Sequence, residues 1–245
     1  PPVSARSRTP NRGPPAPVPR VAFLTAPGYV GGVRVAIVHD WLTGMRGGER
    51  VLSRVCRLFP GSELHTLIHV PGSTDAVIEG MRIRTSGLSR LPGVGRYYRH
   101  LLPVMPWAVG RFDLRDYDLA ISLSHCVAKG FRRDPAGAHV CYCFTPMRYV
   151  WSDVGDDRRG GVASLGLRAL KPWLRGWDLR SAGNVDRFLA LGEYTAGRIR
   201  RCYGREADVV PPPVDTDYYT PSDVAREGWY LVVSALTPYK RAEDA

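Results

Sequence analysis

The sequence predicts an α/β fold built on a doubly wound, mainly parallel sheet, and three observations carry that expectation. From Val33 onward, short β-branched runs alternate with longer amphipathic helical patterns. The apolar content, 44% of 245 residues, is enough to bury a sizeable core. A turn that is half glycine, Gly44-Met45-Arg46-Gly47-Gly48, joins the first apolar run directly to the first helical pattern. In doubly wound folds such a turn lies where ligands bind.

The elements follow in order. The stretch "VRVAIVHD" opens the first strand, expected over 34–39. Further strands are expected at 63–69, 81–85, 118–123, 138–143, 186–190 and 207–210, each a short β-branched or aromatic run. Between them, "GERVLSRVCRLF" sets Val51, Leu52, Val55 and Phe59 on one helical stripe and closes on Pro60-Gly61. "EYTAGRIRRCYG" does likewise and stops at Gly204. Right-handed crossovers between such units give a Rossmann-like domain over 34–215.

The flanks differ in composition. Residues 1–33 begin with a segment dominated by Pro, Arg and Ser that cannot bury a core, so a disordered tail is expected. Folding is expected to start near Val33, the upstream part being either a tail or a mistranslated leader. Residues 216–228 have the prolines and charges of a linker. Residues 229–245 carry one buried-looking strand, "WYLVVSAL", expected to open a truncated second domain.

The net charge of +11 is uneven. Residues 1–20 hold four arginines and no acid, and residues 82–133 hold ten Arg or Lys against three Asp. Such a balance suits a polyanionic neighbour or a solvated basic face. Within it, "LSRLPGVGRYYRHLLPVMPWAVGRF" (88–112) interleaves Arg with aromatic and apolar residues. That mixture fits a membrane interface, a helical cover over the sheet, or single-stranded nucleic acid. No RRM, KH or helix-turn-helix signature accompanies it, and no nucleic-acid partner is expected. No apolar run reaches 18 residues and no signal peptide is evident, so a cytoplasmic chain with peripheral membrane contact is expected. Five cysteines without metal-ligand spacing are expected to be buried free thiols, with no metal and no cofactor.

Candidate site residues come from the strand ends. Gly47 and Gly48 either admit a phosphate or sugar to the backbone or serve close helix–sheet packing. Glu49, at the helix N-terminus, suits the dipole and can accept a sugar hydroxyl. His125 follows "YDLAISLS" and can donate to a phosphate or hydroxyl, exchange a proton, or be structural. His39 and Asp40 reach the same cleft or cap the turn. Lys129 and Arg148 add cations at the ends of the fourth and fifth strands. The triplets Asp116-Tyr117-Asp118 and Asp215-Thr216-Asp217 are attributed to chance, and no Gly-x-Ser-x-Gly elbow, P-loop or Gly-x-Gly-x-x-Gly occurs.

Taken together, "VAIVHDWLTGMRGGERVL", "LFPGSELHTL", "RYYRHLLPVMPWAVGRFDLRDYDLAIS", "SHCVAKG", "CYCFTPMRYVW" and "PPVDTDYY" resemble family 4 glycosyltransferases of GT-B fold, nearest to bacterial mannosyltransferase-like enzymes of polysaccharide assembly. The resemblance runs from Val33 to the last residue. It implies the N-terminal, acceptor-side half of a GT-B fold and retaining, metal-independent transfer from a nucleoside-diphosphate sugar, GDP-mannose being favoured. It implies an acceptor sugar, free or on a lipid diphosphate. It carries Gly47 and Gly48 onto the loop near donor phosphate and acceptor, His125 onto the histidine beside the transferred sugar, and Lys240 onto a cation at the donor diphosphate. The sequence departs from the family at Phe144, where His is expected, at Leu191-Gly192 in place of Asn-Ser, and at Ala235 in place of Arg. The family's Glu-x7-Glu donor pair does not occur in it. The chain is therefore expected to be inactive alone; its rivals are a non-catalytic binding module and a basic nucleic-acid-binding protein.

Overall fold

The computed structural model describes residues 25–26, 29–30, 32–151, 162–221, 228 and 231–233. Seven parallel strands form one sheet: β1 (Val35–His39), β2 (Glu63–Thr66), β3 (Arg82–Thr85), β4 (Leu119–Ser124), β5 (Ala138–Cys143), β6 (Arg187–Ala190) and β7 (Ala207–Val209). Their spatial order is β3-β2-β1-β4-β5-β6-β7. The chain thus builds outward from β1 to one edge, crosses back, and builds outward again from β4. This is a Rossmann-like doubly wound sheet, and its switch point lies between β1 and β4.

The seven strands expected between 34 and 210 all form, with small shifts at their ends. The expected 63–69 strand stops at Thr66, because the chain beyond it leaves β1 and pairs instead with the loop after it. Leu42 N–H donates to the Ile68 carbonyl at 2.7 Å, and Val70 N–H donates to Leu42 at 2.9 Å. In the segment expected to be a disordered tail, Thr25–Ala26 pairs antiparallel with Tyr29–Val30. Thr25, Tyr29 and Val30 are strand-favouring residues, which propensity supports. At the other end, Leu231, Val232 and Val233 form no strand and are exposed. Ladder bonding needs a neighbouring strand, and none among the described residues lies beside them. The rest of the expected 229–234 strand lies outside the described residues.

Among the described residues, three helices exceed two turns: α1 (Gly47–Leu58), α2 (Val162–Ala182) and α3 (Glu193–Tyr203). Helix α3 ends on Gly204, whose φ of +65° is the left-handed geometry that glycine adopts without strain. β1 is buried along its whole length, and its alternating side chains feed two cores. Ala36 and Val38 face a cluster with Trp41, Met105, Val109 and Leu174, beneath the short helical turns of 94–109. Ile37 faces Val51, Leu52 and Cys56 of α1. A third cluster joins Cys141 and Cys143 to Phe188, Ile199 and Tyr203. All five cysteines are free, with Cys202 alone not fully buried.

Two buried histidines give the fold a pH dependence. His139 sits between the Ser122 hydroxyl (2.8 Å) and the Asn184 carbonyl (2.8 Å), and burial holds its pKa down to about 4. His65 is likewise pushed down to about 4, chiefly by burial, although Glu63 works against it. Both bind a proton more readily unfolded than folded. Their stabilisation is full above the ordinary histidine range and is lost as pH falls toward 4. Urea denaturation at pH 7.5 and pH 5 should therefore show a loss of roughly 2 kcal/mol per histidine at the lower pH. His139→Gln should remove its share of that difference.

Candidate functional site

The carboxyl ends of β1 and β4 are locked together by one side chain. Asp40, fully buried, follows β1 directly and reaches across the switch point. Its Oδ2 accepts the backbone N–H groups of His125 (2.8 Å) and Cys126 (3.0 Å), and its Oδ1 those of Val127 and Ala128, each at 2.7 Å. Four successive amides after a strand make a concavity that would hold an anion. Here the protein fills it with its own carboxylate. His39 adds a second tie, its Nδ1 lying 3.1 Å from the Leu123 carbonyl. A carbonyl can only accept, so Nδ1 carries a proton and donates it to Leu123.

His125 stands on this base. Its Nδ1 lies 3.1 Å from Asp40 Oδ2, and its ring meets Trp41 edge-to-face at 4.6 Å. The carboxylate draws the ring proton to Nδ1 and leaves Nε2 as the atom able to serve a ligand. Burial depresses the His125 pKa, and the neighbouring His39 and Arg148 add to the depression against the pull of Asp40. Near neutral pH the ring is therefore uncharged. It can accept a hydroxyl proton at Nε2 without an imidazolium competing with Arg148.

The glycine turn lies opposite. Gly44, at φ +143°, has the backbone conformation that requires glycine. Gly47 and Gly48 form the first turn of α1 with ordinary helical geometry, so conformation does not demand glycine at either. A Cβ at Gly47 would meet nothing within 4 Å, whereas one at Gly48 would touch the Phe144 ring at 3.5 Å. Gly47 thus borders open space, and Gly48 is where the helix packs on the strand ends. Phe144, one residue past β5, lies 6.5 Å from the His125 ring and 6.4 Å from His39.

Glu49 turns inward. Its Oε2 accepts the Arg46 N–H at 3.0 Å, the return half of a capping box, and its Oε1 is 3.7 Å from His39 Nε2. Burial raises the Glu49 pKa, but His39 and Arg46 outweigh it and hold the carboxyl below its usual range. His39 Nε2 is buried without a hydrogen-bond partner. Arg148 is exposed, opens the short helix Arg148–Trp151 five residues past β5, and is within electrostatic reach of His125.

Lys129 is placed elsewhere. Its Nζ is buried and pairs with Asp178 of α2, whose other oxygen accepts Trp151 Nε1–H (2.7 Å) and the Tyr203 hydroxyl (2.8 Å). The expected strand-end cation is an internal counter-ion, because β4's following turn directs it under the sheet rather than into the cleft. Lys240 lies outside the described residues. Asp215 lies 3.5 Å from Arg54. The structure therefore brings together Gly47, Gly48, Glu49, His125 and Arg148. It adds Trp41 and Phe144, which sequence reasoning did not select. Phe144 carried the same signal as His125, a position immediately past a central strand.

No protein-family model matches the chain, and no curated protein matches it significantly.

Asp40→Asn should cost about 3 kcal/mol or more in urea denaturation, because an amide NH2 would face two backbone N–H donors. Lys129→Met should cost about 3–5 kcal/mol by leaving Asp178 charged and buried, and Asp178→Leu in the same chain should recover part of that loss.

Proposed function

We propose that the cleft at the β1–β4 switch point binds a sugar and its phosphate, and that the chain is the acceptor-side half of a family 4-like GT-B glycosyltransferase. The single observation that carries this reading is the convergence of three features at the carboxyl ends of the central strands. They are a neutral His125 oriented by Asp40, the exposed cation of Arg148, and the open N-terminal turn of α1 at Gly47. Each is what transfer from a nucleoside-diphosphate sugar uses on the protein side. The resemblance of "VAIVHDWLTGMRGGERVL", "SHCVAKG" and "CYCFTPMRYVW" to that family supports the same reading.

In the proposed reaction an acceptor hydroxyl forms a bond to the sugar's anomeric carbon. The bond from that carbon to the diphosphate oxygen breaks, and the hydroxyl proton leaves with the diphosphate. Arg148 and the α1 amides would stabilise negative charge on the diphosphate, and His125 Nε2 would orient a hydroxyl of the reacting sugar. Transfer is proposed to retain the anomeric configuration, with a hexose, mannose favoured, passing to an oligosaccharide or lipid-linked acceptor. The donor's base and ribose would be held by a second domain, so affinity for the donor on this chain is proposed to be weak.

Calorimetric titration of GDP-mannose, with UDP-glucose beside it, into this chain and into one joined to a donor-binding domain tests the reading. Binding by the joined protein is expected, weakened about tenfold or more by Arg148→Ala, since a charge-assisted contact to phosphate contributes about 1.5–3 kcal/mol. Failure of both proteins to bind any nucleotide sugar would overturn it.

A further inference from the structure

We propose that His39 and Glu49 form a proton-operated latch that fastens the glycine turn to the sheet. When His39 holds a proton on each ring nitrogen, its Nε2–H pairs with the Glu49 carboxylate and the turn is held. When Nε2 is bare, the two side chains do not bond and the turn is released. The latch does not depend on which ligand the turn serves, and so not on the sugar-transfer reading.

The turn hangs on few contacts. As far as Leu42 the chain is pinned to the loop after β2, through the Leu42 N–H to Ile68 bond (2.7 Å) and the Val70 N–H to Leu42 bond (2.9 Å). Beyond it the bonds are local. Arg46 Nη1 lies 3.5 Å from Thr43 Oγ1, the Arg46 N–H donates to Glu49 Oε2 at 3.0 Å, and the Arg50 N–H donates to the Arg46 carbonyl at 3.1 Å. Met45, Arg46 and Gly47 are exposed, and Gly44, at φ +143°, leaves the backbone free to swing. Glu49 alone among these residues is buried. Its Oε2 caps the turn and its Oε1 faces His39, so one side chain carries the link to β1.

The histidine end is fixed. His39 lies on β1 and gives its Nδ1 proton to the Leu123 carbonyl. Its Nε2 is 3.7 Å from Glu49 Oε1, with the two side chains 0% and 5% exposed, and no protein donor among the described residues reaches it. A bare Nε2 and an ionised carboxylate are both acceptors, so they face one another unbonded in the interior. A proton on Nε2 turns the contact into a charge-assisted pair, about 0.8 Å from hydrogen-bond length. The other charges facing His39 permit this. Arg46 lies in the turn itself, Asp40 follows on β1 and is saturated by four amides, and the His125 ring from the exit of β4 is 6.4 Å away. Burial keeps that ring uncharged near neutral pH, so it does not oppose charge on His39. Thr66 on β2 and Phe144 past β5 bring no charge. Histidine is the side chain whose charge ordinarily changes between about pH 5 and 8. The latch closes as pH falls, the sign opposite to that of His65 and His139, whose burial as neutral rings stabilises the fold at higher pH.

Hydrogen exchange of the 245-residue chain, read by mass spectrometry at about pH 6 and pH 8 and corrected for intrinsic rates, tests the latch. Residues 43–50 should exchange about fivefold or more slowly at the lower pH, measured against β5, which senses His139 and moves the other way. Glu49→Gln keeps an acceptor for the Arg46 N–H and offers its amide NH2 to the bare Nε2, so it should hold the turn at both pH values. In the unaltered chain, imidazole 15N spectra should show His39 Nε2 gaining its proton over the same interval. Equal or faster corrected exchange at the lower pH, a pH dependence that survives Glu49→Gln, or an Nε2 that stays bare throughout would each overturn the latch.

Discussion

The Asp40 carboxylate, held by four consecutive amides of the turn after β4, is the interaction on which the cleft depends. A doubly wound sheet is splayed at its switch point, because the connections of β1 and β4 leave in opposite directions. Asp40 spans that splay. A buried carboxylate is costly to desolvate, and it is tolerable here because every donor in the turn is aimed at it. The same bonds set the path of residues 125–128, and with it the position of the His125 ring. Any anion-binding role of those amides is thereby used up inside the protein. The ligand-facing polarity at this edge must come from side chains and from the free turn of α1.

A second buried charge does comparable work on the other side of β4. Lys129 and Asp178 join the strand-end turn to α2, and Asp178 extends the tie to Trp151 and to Tyr203 of α3. Lys129 keeps its charge because the attraction of Asp178 outweighs the desolvation that would depress its pKa. The two buried carboxylates have adjacent partners, residues 125–128 for Asp40 and Lys129 for Asp178, and act together on one short segment. The turn after β4 is therefore held by charge rather than by packing alone. Such a segment resists small displacements, since moving it would strand a donor or a charge in the interior.

Much of the fold was legible because period and punctuation agree locally. β5 was expected over its observed span, and α1 and α3 were marked by apolar stripes closed by Pro60-Gly61 and Gly204. Helix α2 was not singled out, and the reason is visible in its composition. Pro172 lies inside it, and glycines interrupt its apolar pattern. The site was legible in position but not in orientation. The strand-end rule located His125, Lys129, Arg148 and the glycine turn, yet it could not say which side of the sheet a side chain takes. Lys129 goes under the sheet to Asp178, a partner 49 residues away that no local pattern announces. Glu49 faces inward because His39 and the Arg46 amide both compete for it. Of the two glycines, tertiary packing on Phe144 accounts for Gly48, while Gly47 alone borders open space.

These placements give the cleft a graded polarity. Asp40 and Glu49 are buried, Asp40 held by four backbone amides and Glu49 by the Arg46 amide with His39 beside it. The His125 ring beside Asp40 is uncharged near neutral pH, its pKa lowered chiefly by burial and further by its neighbours His39 and Arg148. Arg148 is exposed and unneutralised by any carboxylate among the described residues. The buried carboxylate thus fixes the turn that carries His125, and any role of that histidine depends on the same four amide bonds.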